Sequence, residues 1–190
     1  MRVTREKMAE NRERIVATAA RLFREKGFDG VGVDAIMQGV GLTHGGFYRH
    51  FRSKDDLAAE AVAFGLAASA EKQAPLASLD ELVAAYLSSA HRDNRGGGCV
   101  MAALGGDVAR QKIAVRRKLT VHVRAQLDRL TGWLGGGSAR ARRERAIATL
   151  AGLVGAMVLA RAVDDRKLSD EILAAARAMY GKTESGILRA

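Results

Sequence analysis

GFDGVGVDAIMQGVGLTHGGFYRHFRSKDDL, residues 27–57, decides the fold. Val33, Ile36 and Val40 recur at helical spacing and make one apolar face of a short helix. Gly41 follows as a permissive turn, and Leu42, Phe47 and Phe51 supply a matching apolar face on the far side. With those six inside, His44, Gly45, Tyr48, Arg49 and His50 are left projecting outward or sideways. Two short helices locked across a glycine turn form a helix-turn-helix, whose second helix enters a DNA major groove. Phosphates attract arginine, lysine, tyrosine hydroxyls and helix N-termini, while base edges are read from the start of that second helix.

Outward from this stretch the same helical periodicity continues. A first helix is expected over residues 7–26, with Ile15, Val16, Ala19, Leu22 and Phe23 inward, Lys26 in its last turn and Gly27 as its stop. The second helix is expected over 33–40, with Gly32 at its start where a hydroxyl cap would be better. Thr43 is expected to cap a third over 44–50. Ser53-Lys-Asp-Asp56 reads as a capping box opening a helix to Lys72, and Pro75 breaks the chain. Ser78-Leu-Asp-Glu81 reads as a second box, opening a helix through His91. The glycine-rich 93–98 is a loop. Helices over 99–109 and 112–134 follow, then a flexible link at Gly135-Gly-Gly-Ser138. The last two are expected over 139–163 and, with Ser169 as cap, 170–180; beyond Gly181 the chain is expected to fray. The fold class is therefore all-α, about nine helices. A helix-turn-helix domain is expected over 1–53 and a helical ligand-binding and dimerisation domain over 54–190.

Composition agrees with one or two ordinary globular domains: 190 residues, 48% apolar and 27% charged. The net charge of +10 favours a polyanionic partner. Its placement is uneven, +5 over residues 1–54 but +9 over 110–145. The second surplus reads as a solvated, solubilising face or, more sharply, as a secondary contact to DNA or an acidic ligand. A single cysteine, Cys99, excludes an intramolecular disulfide and fits a reducing compartment. The start, MRVTREKMAENRERIV, alternates charges without an apolar core, unlike a signal peptide. The longest uncharged run, 15 residues between Arg145 and Arg161, falls short of the ~20 needed to span a bilayer. A soluble, cytoplasmic protein without membrane contact is expected.

The head resembles that of the tetracycline-repressor (TetR) family of bacterial transcription regulators. That family's pattern is met by Gly27-Phe28, Val31-Gly32-Val33, Ile36, Gly41-Leu42-Thr43, Gly45-Gly46 and Phe47-Tyr48-Arg49-His50-Phe51 with Lys54. The resemblance is specific over about residues 10–57. It implies that Tyr48, His50 and Lys54 grip phosphates, with Thr43 doing so at the helix start. It also places His44 and Gly45 where family members touch bases, with Arg49 a lesser candidate. Two departures stand out. Val31-Gly32 replaces a Thr/Ser pair and loses a hydroxyl, and Gly45-Gly46 puts a second glycine in the recognition helix, weakening it by ~1 kcal/mol per glycine. Shape and phosphate contacts then carry more of the selectivity.

The resemblance further implies a homodimer on a palindromic operator, paired through its last two helices. Ala148, Gly152, Ala156 and Ala160 recur every four residues as a flat strip, with Met157 among the flanking apolar groups; intrachain core is the alternative. It implies a pocket for a small-molecule effector, for which Phe64, Tyr86, Met101, Leu104 and Trp133 are candidate linings or plain core. Cys99 opens a helix after a glycine loop, where partial positive charge lowers a thiol pKa, helped by Arg92 and Arg95 if they fold back. It is a candidate sensor of oxidants or electrophiles, or a small buried residue. The histidines His44, His50, His91 and His122 are scattered and imply no metal site. No phosphate loop, nucleophile elbow or acid/base pair appears, so neither an enzyme nor a cofactor is expected. A thiol enzyme and a small-molecule carrier with a decayed head remain the rival classes.

Overall fold

A computed structural model describes residues 4–181, which form helices and their connections with no strand among them. The expected fraying beyond Gly181 lies outside the described residues. The helices are α1 (Arg5–Lys26), α2 (Val33–Gly39), a 3-10 segment (His44–Arg49), α3 (Lys54–Gln73), α4 (Leu79–Tyr86) and α5 (Ser89–Asp93), then α6 (Val100–Val108), α7 (Ile113–Trp133), α8 (Ala139–Ala162) and α9 (Arg166–Tyr180).

These residues divide into two compact units: the chain up to Glu71 with Arg95–Val121, and Lys72–Asn94 with the chain from His122 on. The first unit holds the head. Its core is built from Ile15, Ala19 and Phe23 of α1, Ile36 and Met37 of α2, Phe47 and Phe51, Leu57, Ala61 and Val62 of α3, and Val100, Leu104 and Val108 of α6. Burying such side chains contributes roughly 1.5–3 kcal/mol each before chain entropy is set against it. Arg12 of α1 donates both guanidinium ends to Glu60 of α3 and lies 4.4 Å over the Phe51 ring, which fixes α1 across the head.

In the second unit α8 packs along α9. Ala146, Leu153, Ala156, Met157 and Ala160 are the buried face of α8, and Leu173 is its fully buried counterpart on α9. Gly152 permits this approach, because a Cβ there would overlap the Tyr180 ring. Arg92, only 3% exposed, donates to Ser169 at 2.9 Å and to Asp170, tying α5 to α9. Arg161 donates to the carbonyls of Arg92 and His91 at 3.0 and 2.8 Å.

Three local expectations need correction. The helix expected from Ser78 through His91 is broken at Leu87-Ser88: the Ser88 hydroxyl accepts from the His91 amide at 3.1 Å and starts α5 afresh. Ser169 is not a cap. Asp165 is, accepting from the amides of Lys167 and Leu168, where a carboxylate also complements the helix dipole. Ser169 instead lies inside α9 and donates to the Ala160 carbonyl at 2.6 Å. The 135–138 link is pinned rather than loose, since Arg145 donates to the carbonyls of Gly135 and Gly136 at 2.6 Å each and Arg142 to that of Gly137. Apart from these, α8 has an 18-residue window of mean hydropathy 1.5, long and apolar enough by composition alone to cross a membrane, while its uncharged run stays at the expected 15 residues. A third of that window is buried within the chain, much of it against α9.

Candidate nucleic-acid interface

Gly41, at φ 71, turns the chain between the two arms of the hairpin. Its amide donates to the Gln38 carbonyl at 3.0 Å and that of Leu42 to Met37 at 2.9 Å, satisfying the end of α2. Arg14 of α1 completes that end by donating to the Val40 carbonyl at 2.8 Å. The second arm is tighter than expected. Residues 44–49 form a 3-10 segment, with the Gly46 amide on the Thr43 carbonyl and that of His50 on Phe47. Six residues with two glycines are too few and too flexible to sustain an α-helix. Thr43 holds the cap position, but its hydroxyl makes no capping bond and the residue is exposed.

Phe47 anchors this arm, fully buried, with its ring stacked 5.6 Å from Phe51. Val33 and Leu42 pack on the same core at partial burial. That anchoring turns the next residue outward: Tyr48 stands edge-on to Phe47 and is 64% exposed. Arg49, His44 and Gly45 are also exposed, while His50 and Lys54 are half-buried. His44 is not loose, since its Nδ1 lies 2.6 Å from Asp34 Oδ1 in the first turn of α2. Burial, then the neighbouring charges of Arg12 and Arg49, push the His50 pKa down. A groove of about 430 Å³ runs between Met8 and Asn11 of α1 and the second arm, lined there by Thr43, Gly45, Arg49 and His50. The seven residues expected to meet DNA therefore lie on or beside one short arm and the first turn of α3.

Residues 15–61 match the family described as "Bacterial regulatory proteins, tetR family". The match is to the head alone, 47 of the 190 residues, and over that stretch the chain is similar to the tetR family. Over 65 residues it is 38% identical to the "Uncharacterized HTH-type transcriptional regulator YerO" of Bacillus subtilis strain 168, a match covering 34% of this chain and 22% of that protein. The chain thus aligns with under a quarter of that relative's length. Its fold is similar to that of E. coli NemR in its reduced form, with TM-score 0.72 and 22% identity over 90% of this chain and 95% of that one. It is also similar to AibR in complex with isovaleryl coenzyme A and operator DNA, with TM-score 0.64 and 16% identity over 90% and 98%.

Beyond the tetR-type head, the candidate effector residues fall in both units. Cys99, 5% exposed, and Leu104 are buried in the first, with Met101 half-buried and Phe64 exposed. In the second, Tyr86 is buried with its ring 4.7 Å from His91, and the Arg129 guanidinium lies 4.4 Å over Trp133. Arg92 is held within the second unit by Asp93, Ser169 and Asp170. In the first unit the Arg24 Nε donates to the Gly96 carbonyl at 2.6 Å. Of the dimer strip, Ala148 is exposed and Gly152 half-buried, while Ala156, Met157 and Ala160 are buried within the protomer. No cluster of three or more His, Cys, Asp or Glu able to hold a metal occurs among the described residues. The Asp34–His44 and Arg14–Val40 contacts escape sequence reading because each joins residues with no periodic relation.

Proposed function

We propose that this chain is a cytoplasmic transcription regulator that binds duplex DNA through residues 1–53 and acts as a homodimer on a palindromic operator. Residues 54–190 would then carry dimerisation and effector response. The observation that carries this reading is the face made by Tyr48, Arg49 and His44, held outward by a buried Phe47. A hydroxyl and a guanidinium on an arm anchored by Phe47 suit phosphate oxygens, and His44 with the bare Gly45 lies where base edges are approached. Tyr48, His50, Lys54 and Thr43 grip phosphates; His44, Gly45 and Arg49 face the groove. No metal, cofactor or catalytic step enters this reading.

Repression is the proposed sign of action, relieved by a small molecule or by an electrophile or oxidant at Cys99. Loosening the operator about 100-fold needs about 2.7 kcal/mol of coupling, within the ordinary range. Titration of the protein into its own labelled promoter fragment tests DNA binding. Affinity should fall by roughly 10³–10⁵ between about 50 and 200 mM salt if about 6–10 phosphates are neutralised. Tyr48→Ala should weaken binding to all duplexes alike. Indifference of the wild type to its promoter at low salt would refute the reading. For the effector, Cys99→Ser should stay on the operator under an electrophile that releases the wild type.

A further inference from the structure

The basic surplus over 110–145 is not one solvated face. Arg140 pairs with Glu144 and Arg143 with Asp128, while Arg142 and Arg145 hold the glycine turn. Arg129 donates to the carbonyls of Gln73 and Leu76. Those charges are engaged inside the second unit. The start of α7 differs. Residues 110–118, RQKIAVRRK, hold five cations and no acid, and they belong to the unit that contains the head.

Val115 is buried and Leu119 packs on the head's core, so these turns are anchored to the same body. With those two inward, Arg116, Arg117 and Lys118 are exposed, and none makes an ion pair among the described residues. Arg110 pairs with Asp107. Lys112 reaches across to α3, its Nζ 2.8 Å from Asp55 Oδ2. Asp55 follows Lys54, the proposed phosphate grip at the start of α3. An unscreened carboxylate at that position repels the phosphate its neighbour binds, and Lys112 cancels it. Arg116 stands one helical turn, about 6 Å, further along α7. That distance is within a Debye length of about 8 Å at physiological salt.

We infer that the start of α7 is a second phosphate-contacting surface for the duplex the head binds. Lys112 neutralises Asp55 beside Lys54, and Arg116, Arg117 and Lys118 extend the positive face onto DNA flanking the half-site. The partner is double-stranded DNA because Lys112 joins this segment to the proposed head contacts through Asp55, and the three exposed cations that follow it carry charge of one sign. The inference rests on the DNA-binding reading and adds residues outside the helix-turn-helix to it.

The test uses the full chain on two labelled duplexes, the minimal operator and the same site extended by about one helical turn, about 10 bp, at each end. A triple variant, Arg116→Gln with Arg117→Gln and Lys118→Gln, changes only exposed side chains; its melting temperature checks the fold. It should bind the extended duplex roughly tenfold or more weakly, and its log–log salt slope should flatten by about 0.9 for each phosphate it no longer neutralises. Lys112→Gln should weaken both duplexes several-fold, and adding Asp55→Asn should restore most of that affinity. An unchanged slope in the triple variant, or full affinity in Lys112→Gln, overturns the inference while wild-type binding stands. Failure of the wild type on either duplex instead removes the DNA-binding reading beneath it.

Discussion

His44 and Asp34, ten residues apart, meet at 2.6 Å between Nδ1 and Oδ1 and join the first residue of the recognition segment to the first turn of α2. Both side chains are at least half exposed, so the pair adds little to stability. Its effect is on orientation: it fixes which ring edge His44 presents outward. Asp34→Ala should leave the melting temperature within about 1 °C, as expected of a substitution at an exposed site. Discrimination between the operator and a copy altered at the base pair under His44 should drop by roughly tenfold, the scale of one base contact. Affinity for random duplex should hold or rise, since a negative charge leaves the interface. Unaltered discrimination, measured by competition binding, counts against His44 as a base reader.

Gly41 and Gly45 stand four residues apart and should respond oppositely to alanine. A Cβ at either meets nothing within 4 Å, so packing does not separate them. Backbone does. Gly41 sits at φ 71, where an L side chain is strained, and Gly41→Ala should cost about 1 kcal/mol. Gly45 has no such φ, and Gly45→Ala should stabilise the arm by about 0.5–1 kcal/mol through the unfolded state. Denaturant midpoints of the two variants should move in opposite directions. A matched drop in both would mean that Gly45 is held in a conformation closed to alanine.

These two cases show what the sequence makes legible. Periodicity placed Ile36, Val40, Phe47 and Phe51 in the core and left Tyr48 out, because a helix-turn-helix is short enough for local spacing to dictate burial. Local chemistry also located Gly27 and Gly41, each at positive φ. What stayed hidden depends on the partner elements. Whether Met157 faces α9 or a second copy cannot be read from a stripe that is apolar on more than one side. Arg92, expected to turn toward Cys99, is engaged by Ser169 and Asp170, because a long side chain goes wherever the tertiary fold offers acceptors. The two-glycine arm became a 3-10 segment because six residues cannot outvote their ends.

The last two helices predict where the proposed dimer would form. Met157 is fully buried in the protomer, whereas Ile147, Val158 and Leu159 on α8, with Leu168 and Met179 on α9, are exposed. Such a concentration of uncovered apolar groups on two neighbouring helices is the surface a second copy would bury. Leu159→Glu, at a residue 57% exposed, should give a folded monomer by light scattering and weaken operator binding steeply. Met157→Ala should keep the dimer but cost about 2–5 kcal/mol of stability, as a buried cavity does. A Leu159→Glu protein that stays dimeric moves the interface elsewhere.

Acid should act on stability and on DNA binding with opposite signs. Burial lowers the pKa of His122 on α7, and burial with the nearby cations Arg161 and Lys72 lowers that of His91. The unfolded chain takes up those protons near about pH 6.5, before the folded one does. The folded state therefore keeps its full stability above that pH and loses it as pH falls toward the lower folded values. Melting temperature should drop between about pH 7.5 and about pH 5.5, and His122→Gln should make the drop shallower. His50 is lowered in the same way by burial, Arg12 and Arg49, but a bound phosphate beside it would favour its charged form. Over the range where the protein remains folded, operator affinity should rise as pH falls. His50→Gln should abolish that rise while leaving the stability trend of His122 and His91 in place. An affinity independent of pH in the wild type would take His50 off the phosphate.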